Sequence, residues 1–142
     1  KLQAEIIKLL DKQDKRNHIF AGILKNEDIA VTLDAHALYK IPKNKFYIDI
    51  NKIPDNQLKA DSLFDFDTEF AAKTTEAKII NKTTLIKLKS ENAHTWIDEK
   101  LLRFFDKDCS FELSINKPNM YPIKVFEGGE CVGIVLPFKV ED

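Results

Sequence analysis

Between Cys109 and Ile115 polar and apolar residues alternate one for one, and shorter runs of the same kind recur along most of the chain. A two-residue period puts successive side chains on opposite faces, so each run reads as a short strand with one buried face. His18–Leu24 and Ile29–Leu33 form such a pair around Lys25-Asn26-Glu27-Asp28, followed by Leu38–Ile41 before Pro42 and by Phe46–Ile50. Ala77–Asn81 and Thr83–Lys89 predict a hairpin around Asn81-Lys82. Ile123–Phe126 and Cys131–Leu136 predict another around Glu127-Gly128-Gly129-Glu130. A chain built from so many short strands must bury them in a sheet.

Two segments carry the helical period instead. Over Leu2 to about Lys15, Leu2, Ile6, Ile7, Leu9 and Leu10 fall on one broad stripe, and Lys8, Lys12 and Lys15 lie nearly opposite. The spacing predicts a second helix starting at Thr95-Trp96-Ile97-Asp98, where the threonine hydroxyl and the aspartate suit a first turn. Ile97, Leu101, Phe104 and Phe105 would be its apolar face, and Lys100, Arg103 and Lys107 its basic one. Each half of the chain then repeats one order, a helix followed by strands. The expected class is α+β: a single domain over 1–142, with a first half of about 1–54, an acidic connection of about 55–75, and a second half of about 76–142. Both helices are expected on one face of an antiparallel sheet.

Composition narrows the function classes. The chain has 142 residues, a net charge of −1, 44% hydrophobic and 32% charged side chains, and only four glycines, which suits a folded domain and not a disordered tail. No apolar run approaches the roughly 20 residues of a membrane-spanning helix, so no membrane association is expected; the first residues lack a signal peptide's apolar core and the two cysteines show no ligand or redox spacing, so a reducing cytoplasm is the expected location. Cys109 and Cys131 fit no CxxC or Cys/His spacing, and no Gly-rich phosphate loop, GxSxG or HExxH is present. Neither a metal, nor a cofactor, nor an enzymatic activity is expected.

Gln13-Asp14-Lys15-Arg16-Asn17-His18-Ile19-Phe20-Ala21-Gly22-Ile23-Leu24, followed by Leu33-Asp34-Ala35-His36-Ala37-Leu38, resembles the middle domain of the bacterial DNA polymerase III beta sliding clamp. That family carries Thr-Asp-Gly-His-Arg-Leu where Leu33 to Leu38 stand, so Asp34, His36 and Leu38 match and the other three differ. Val135-Leu136-Pro137-Phe138-Lys139-Val140 resembles the Met-Pro-Met-Arg-Leu ending of the clamp's last domain. The resemblance covers about 30 residues in motif and most of the chain in order of elements, and it suits a phage or mobile-element chain holding one clamp-like domain where the usual protomer holds three.

The resemblance implies two βαβββ-type halves whose helices face duplex DNA without reading bases, through Lys8, Lys12, Lys15, Lys100, Arg103 and Lys107. It also implies a peptide-binding cleft for DNA polymerase or clamp-loader segments, with Leu33, His36 and Leu38 on one side and Leu136, Pro137 and Phe138 on the other. In the family these two sides come from adjacent domains, so a complete cleft here needs a head-to-tail homo-oligomer. The function it implies is that of a non-catalytic replication accessory that binds the DNA backbone weakly and without sequence preference, or replication-protein peptides. The alternative is an adaptor or decoy that binds replication partners or a host clamp and no DNA.

Overall fold

The computed structural model describes residues 2–12, 20–23, 28–34, 36–49 and 64–140. They fall into two compact units, residues 1–65 and 66–142. Antiparallel strands make up most of the described chain, with one α-helix among the described residues.

The first unit opens with that helix, α1 (Leu2–Lys12), and continues as an antiparallel meander of β1 (Phe20–Ile23), β2 (Ile29–Asp34) and β3 (Ala37–Ile41). Ile6 from the helix packs with Ile29, Val31 and Ile41 of the strands, and Leu2, Phe46 and Ile48 close over this cluster. The expected apolar stripe is thus narrower than the sequence pattern, because Ile7 is exposed. After Pro42 a 3-10 turn covers Lys43–Lys45.

Described residues 46–49 form no strand, contrary to the alternation read over Phe46–Ile50. Phe46 and Ile48 do point inward as a strand would place them. The Tyr47 N–H, however, donates to Gln3 Oε1 at 3.1 Å, while Gln3 Nε2 donates to the Lys45 carbonyl at 2.8 Å. One glutamine side chain thus takes the place of a neighbouring strand.

The second unit contains β4 (Thr68–Ile80), β5 (Thr83–Ser90), β6 (His94–Asp98), β7 (Ser110–Ser114), β8 (Ile123–Glu127) and β9 (Glu130–Val135). Their order is β9-β8-β7-β4-β5-β6, antiparallel throughout. The long β4 serves two partners. Thr68–Ala71 pairs with β7 and Ala71–Ile80 with β5, with an irregularity between Lys73 and Ala77. The two ends of the sheet then meet, because the Phe138 N–H donates to the Trp96 carbonyl at 2.6 Å and the two residues form a β-bridge. Ala71, Leu88, Ile97, Phe111, Leu113, Ile123 and Val125 are buried within this unit.

The second helix expected from Thr95 does not form, and with it goes the expectation of two helices on one sheet face. His94–Asp98 is a strand whose every residue pairs with β5. Asp98 does cap, but its carboxylate accepts from the Lys100 N–H at 3.0 Å over a 3-10 turn of only four residues, Glu99–Leu102. The cap is therefore Asp98, expected only as first-turn charge, whereas Thr95, expected as the capping hydroxyl, lies in the ladder beside β5 and caps nothing. Ile97 and Leu101 are buried as the helical spacing required, while Phe104 and Phe105 are half-buried in irregular chain.

Candidate functional site

The hairpin of β4 and β5 is the most basic stretch of the second unit. Residues 71–90 contain Lys73, Lys78, Lys82, Lys87 and Lys89 against the single carboxylate of Glu76, in a chain whose net charge is −1. Lys78 lies opposite Leu85 in the ladder, Lys87 opposite Trp96 and Lys89 opposite His94. Directly opposed residues share a face, and so do residues two apart on one strand. Lys78, Lys87 and Lys89 therefore form one row. With Lys82 at the turn, the row runs about 20 Å along β5 at the usual strand rise.

The side-chain contacts agree with the register. Lys78 Nζ lies 4.8 Å from the centroid of the Trp96 ring and Lys87 Nζ 5.9 Å from it. Trp96 is only 6% exposed. It is a floor beneath the lysines and offers no open face for a base to stack on. Lys87 also holds Glu76 at 3.0 Å, and its hydrogen bond and charge keep the Glu76 carboxyl below the ordinary carboxylate range. Lys78, Lys82 and Lys89 are exposed.

The turn itself is unusual for what it carries. Asn81 and Lys82 both adopt left-handed backbone, with φ of 49° and 66°. Two-residue hairpin turns of this shape favour Asn followed by Gly, since a Cβ in the left-handed region costs about 1–2 kcal/mol. Asn81 obeys the preference. A lysine stands where glycine is the low-energy choice, and such outliers concentrate at functional positions.

At the far end of β5, Glu69 accepts from Ser90 Oγ at 2.7 Å and from Asn92 Nδ2 at 3.0 Å. These two bonds, Ser90's first, hold its carboxyl below the ordinary range. They fasten the β5–β6 connection to β4. Cys109 shows the opposite shift, with burial pushing its thiol up, which is the wrong direction for an activated nucleophile. Among the described residues no group of three His, Cys, Asp or Glu side chains is placed to hold a metal ion. None of the described helices is long and apolar enough to cross a membrane.

The residues singled out from sequence are dispersed. Lys8 is exposed on α1, Lys12 closes that helix, and Lys15 lies outside the described residues. Lys100, Arg103 and Lys107 are exposed in the second unit but follow a 3-10 turn and loop and share no helix face. The Arg103 guanidinium donates to the Lys100 carbonyl at 2.9 Å and lies 4.6 Å from the Phe104 ring centroid. In the first unit, Leu33 lies on β2, His36 is exposed in the turn before β3, and the Leu38 side chain on β3 is buried. In the second unit Leu136 is exposed, while Pro137 and Phe138 are half-buried beside the bridge to Trp96.

The lysine row on β4–β5 was missed although its hairpin was expected. The available signal is five lysines against one glutamate over residues 71–90, but which of them share a face depends on the pairing register of β4, β5 and β6, which the sequence alone does not show. No family model, curated protein or solved structure matches the chain.

Proposed function

We propose that the protein is a non-catalytic binding protein that engages the phosphate backbone of duplex DNA through the β4–β5 hairpin. The observation that carries this reading is the basic row itself: exposed Lys78 and Lys89 on one face, continued by Lys82 held in a left-handed turn. Lysine ammoniums on a regular strand meet phosphates as point charges, which gives affinity without sequence information. The net charge of −1 leaves no general attraction for a polyanion, so this local row must supply it. The sequence resemblance to a clamp domain supports a duplex substrate and a role in DNA replication.

Fluorescence anisotropy of the full chain with a labelled 20-base-pair duplex tests the reading. Three lysines on phosphates give a slope of log K against log salt of about −2.7. Replacing Lys78, Lys82 and Lys89 by Gln should remove most of that slope and of the binding at low salt. Unchanged binding in the triple variant, or no binding by the parent at low salt, sinks the assignment.

A further inference from the structure

The side of the sheet that carries the lysine row also carries an exposed aromatic ring. Ala72 on β4 lies opposite Lys89 on β5, so it shares the side of Lys87 and Lys89, and Phe70, two residues before Ala72, points to that side too. Ala71 between them points the other way with its partners Ser90 and Phe111, and all three are buried. Phe70 is 66% exposed. It stands diagonally across from Lys89, at the separation of about 7–8 Å over which aromatic and long side chains reach one another. Ile79, the other large exposed apolar residue of the β4–β5 pair, lies by register on the side away from the row and takes no part.

The same side continues over β7 and β8. Phe70 lies opposite Glu112, and Glu112 opposite Lys124. The half-buried Glu112 carboxylate accepts from the Thr68 hydroxyl and has the Lys124 cation as its ladder partner, so it is not an open negative charge beside the ring. Lys124 Nζ in turn lies 4.7 Å from the Phe66 ring centroid and donates to the Phe66 carbonyl at 3.0 Å, while Tyr121 stacks on Phe66 with centroids 6.0 Å apart. These contacts fix the start of β4 against β8 and hold the strand that presents Phe70.

Lysines meet phosphates in any DNA, but the flat faces of bases are closed to a protein inside a duplex. An unpaired strand opens them, and surfaces that hold single strands combine a basic track with aromatic side chains on which bases stack. Lys89 is the end of the row next to Phe70, so the row runs directly into the ring. We propose that the preferred ligand is duplex DNA with an unpaired single-stranded extension: the duplex backbone lies along Lys78 and Lys82, and the extension passes Lys89 and stacks a base on Phe70. This rests on the backbone-binding reading above and adds to it the strand state of the DNA. Because every base has a π-face, the stacking carries no sequence preference.

Anisotropy of the full chain with three labelled ligands tests it: the blunt 20-base-pair duplex, the same duplex with an extension of about six unpaired nucleotides, and that extended duplex with abasic sugars throughout the extension. The two extended ligands carry the same phosphates and differ only in their bases. The parent should bind the extension with bases about fivefold more tightly than the abasic one, the lower end of what one stacked base contributes. Phe70→Ala should bind the two equally and keep the parent's affinity for the blunt duplex, and Phe70→Trp should keep the difference. Equal binding of the two extended ligands by the parent, or a difference that survives Phe70→Ala, overturns the inference and leaves backbone binding standing. Equal binding together with a concentration-dependent dimer that Phe70→Ala dissolves overturns it in favour of a second copy on this face. Failure of the parent to bind any of the three ligands overturns the backbone reading with it.

Discussion

Replacing Thr95 by Val should stabilise the second unit, which is the reverse of what most core substitutions do. Thr95 is 0% exposed, opposite Leu88 in the β5–β6 ladder and on the same face as Ile97. Both of those side chains are also fully buried. Its Oγ1 has no hydrogen-bond partner among the described residues. A buried hydroxyl without a partner costs about 1–3 kcal/mol in desolvation, and valine has nearly the same shape with equal or better strand preference. The expected gain is about 1–2 kcal/mol. Thr95→Ser separates the two contributions, because it keeps the hydroxyl and removes a buried methyl, at a cost of about 1 kcal/mol. Urea unfolding followed by the emission of Trp96, the single tryptophan and the neighbouring residue, reads this unit directly. With a slope near 1.5 kcal/mol/M, the two variants should differ in midpoint by more than about 1 M at unchanged slope. A Val variant less stable than the parent would refute the reasoning, since it would mean that the hydroxyl is satisfied in the folded protein.

Lys82→Gly should raise stability by up to about 1 kcal/mol, by relieving left-handed backbone at a side chain, while weakening duplex binding; denaturant midpoint and anisotropy on one variant check that the two move in opposite directions. Glu69 and Glu76 have lowered carboxyl pKa values in the folded state, so their contribution is present above the ordinary carboxylate pKa and is lost as pH falls through and below it. Thermal unfolding from pH 6 to pH 3 should therefore show a falling Tm, and Glu69→Gln should make the fall shallower; an equally steep fall in the variant would show that the bonds to Ser90 and Asn92 contribute nothing.

Where a strand is read from sequence, the deciding question is whether it has a neighbour, and the chain shows both answers. Ser110–Ser114 alternates and lies between β4 and β8, so pattern and ladder agree. Phe46–Ile48 alternates equally well, yet the side chain of Gln3, more than forty residues earlier, takes the backbone bond a strand would have given. At Thr95 the apolar spacing of Ile97 and Leu101 fits a helix and also a strand followed by a tight turn, and periodicity over so few residues does not separate them. The hairpin at Asn81-Lys82 was legible because turn chemistry is local. Its lysine row was less legible, because Lys78 joins Lys87 and Lys89 on one face only through the register between β4 and β5. The exposed Ile79 was not legible at all, since exposure depends on where β6 stops.

The bridge between Phe138 and Trp96 has a consequence for how the protein is made. Synthesis delivers β4, β5 and β6 well before residue 138, and until that residue leaves the ribosome the Trp96 carbonyl has no partner from the closing segment. The nascent second unit must wait with the outer edge of β6 open, during an interval in which an unpaired strand can capture a neighbouring chain. Slow translation between the codons for Asp98 and Phe138 would lengthen that interval and lower the soluble yield, whereas a chain released whole closes the seam within a single folding event.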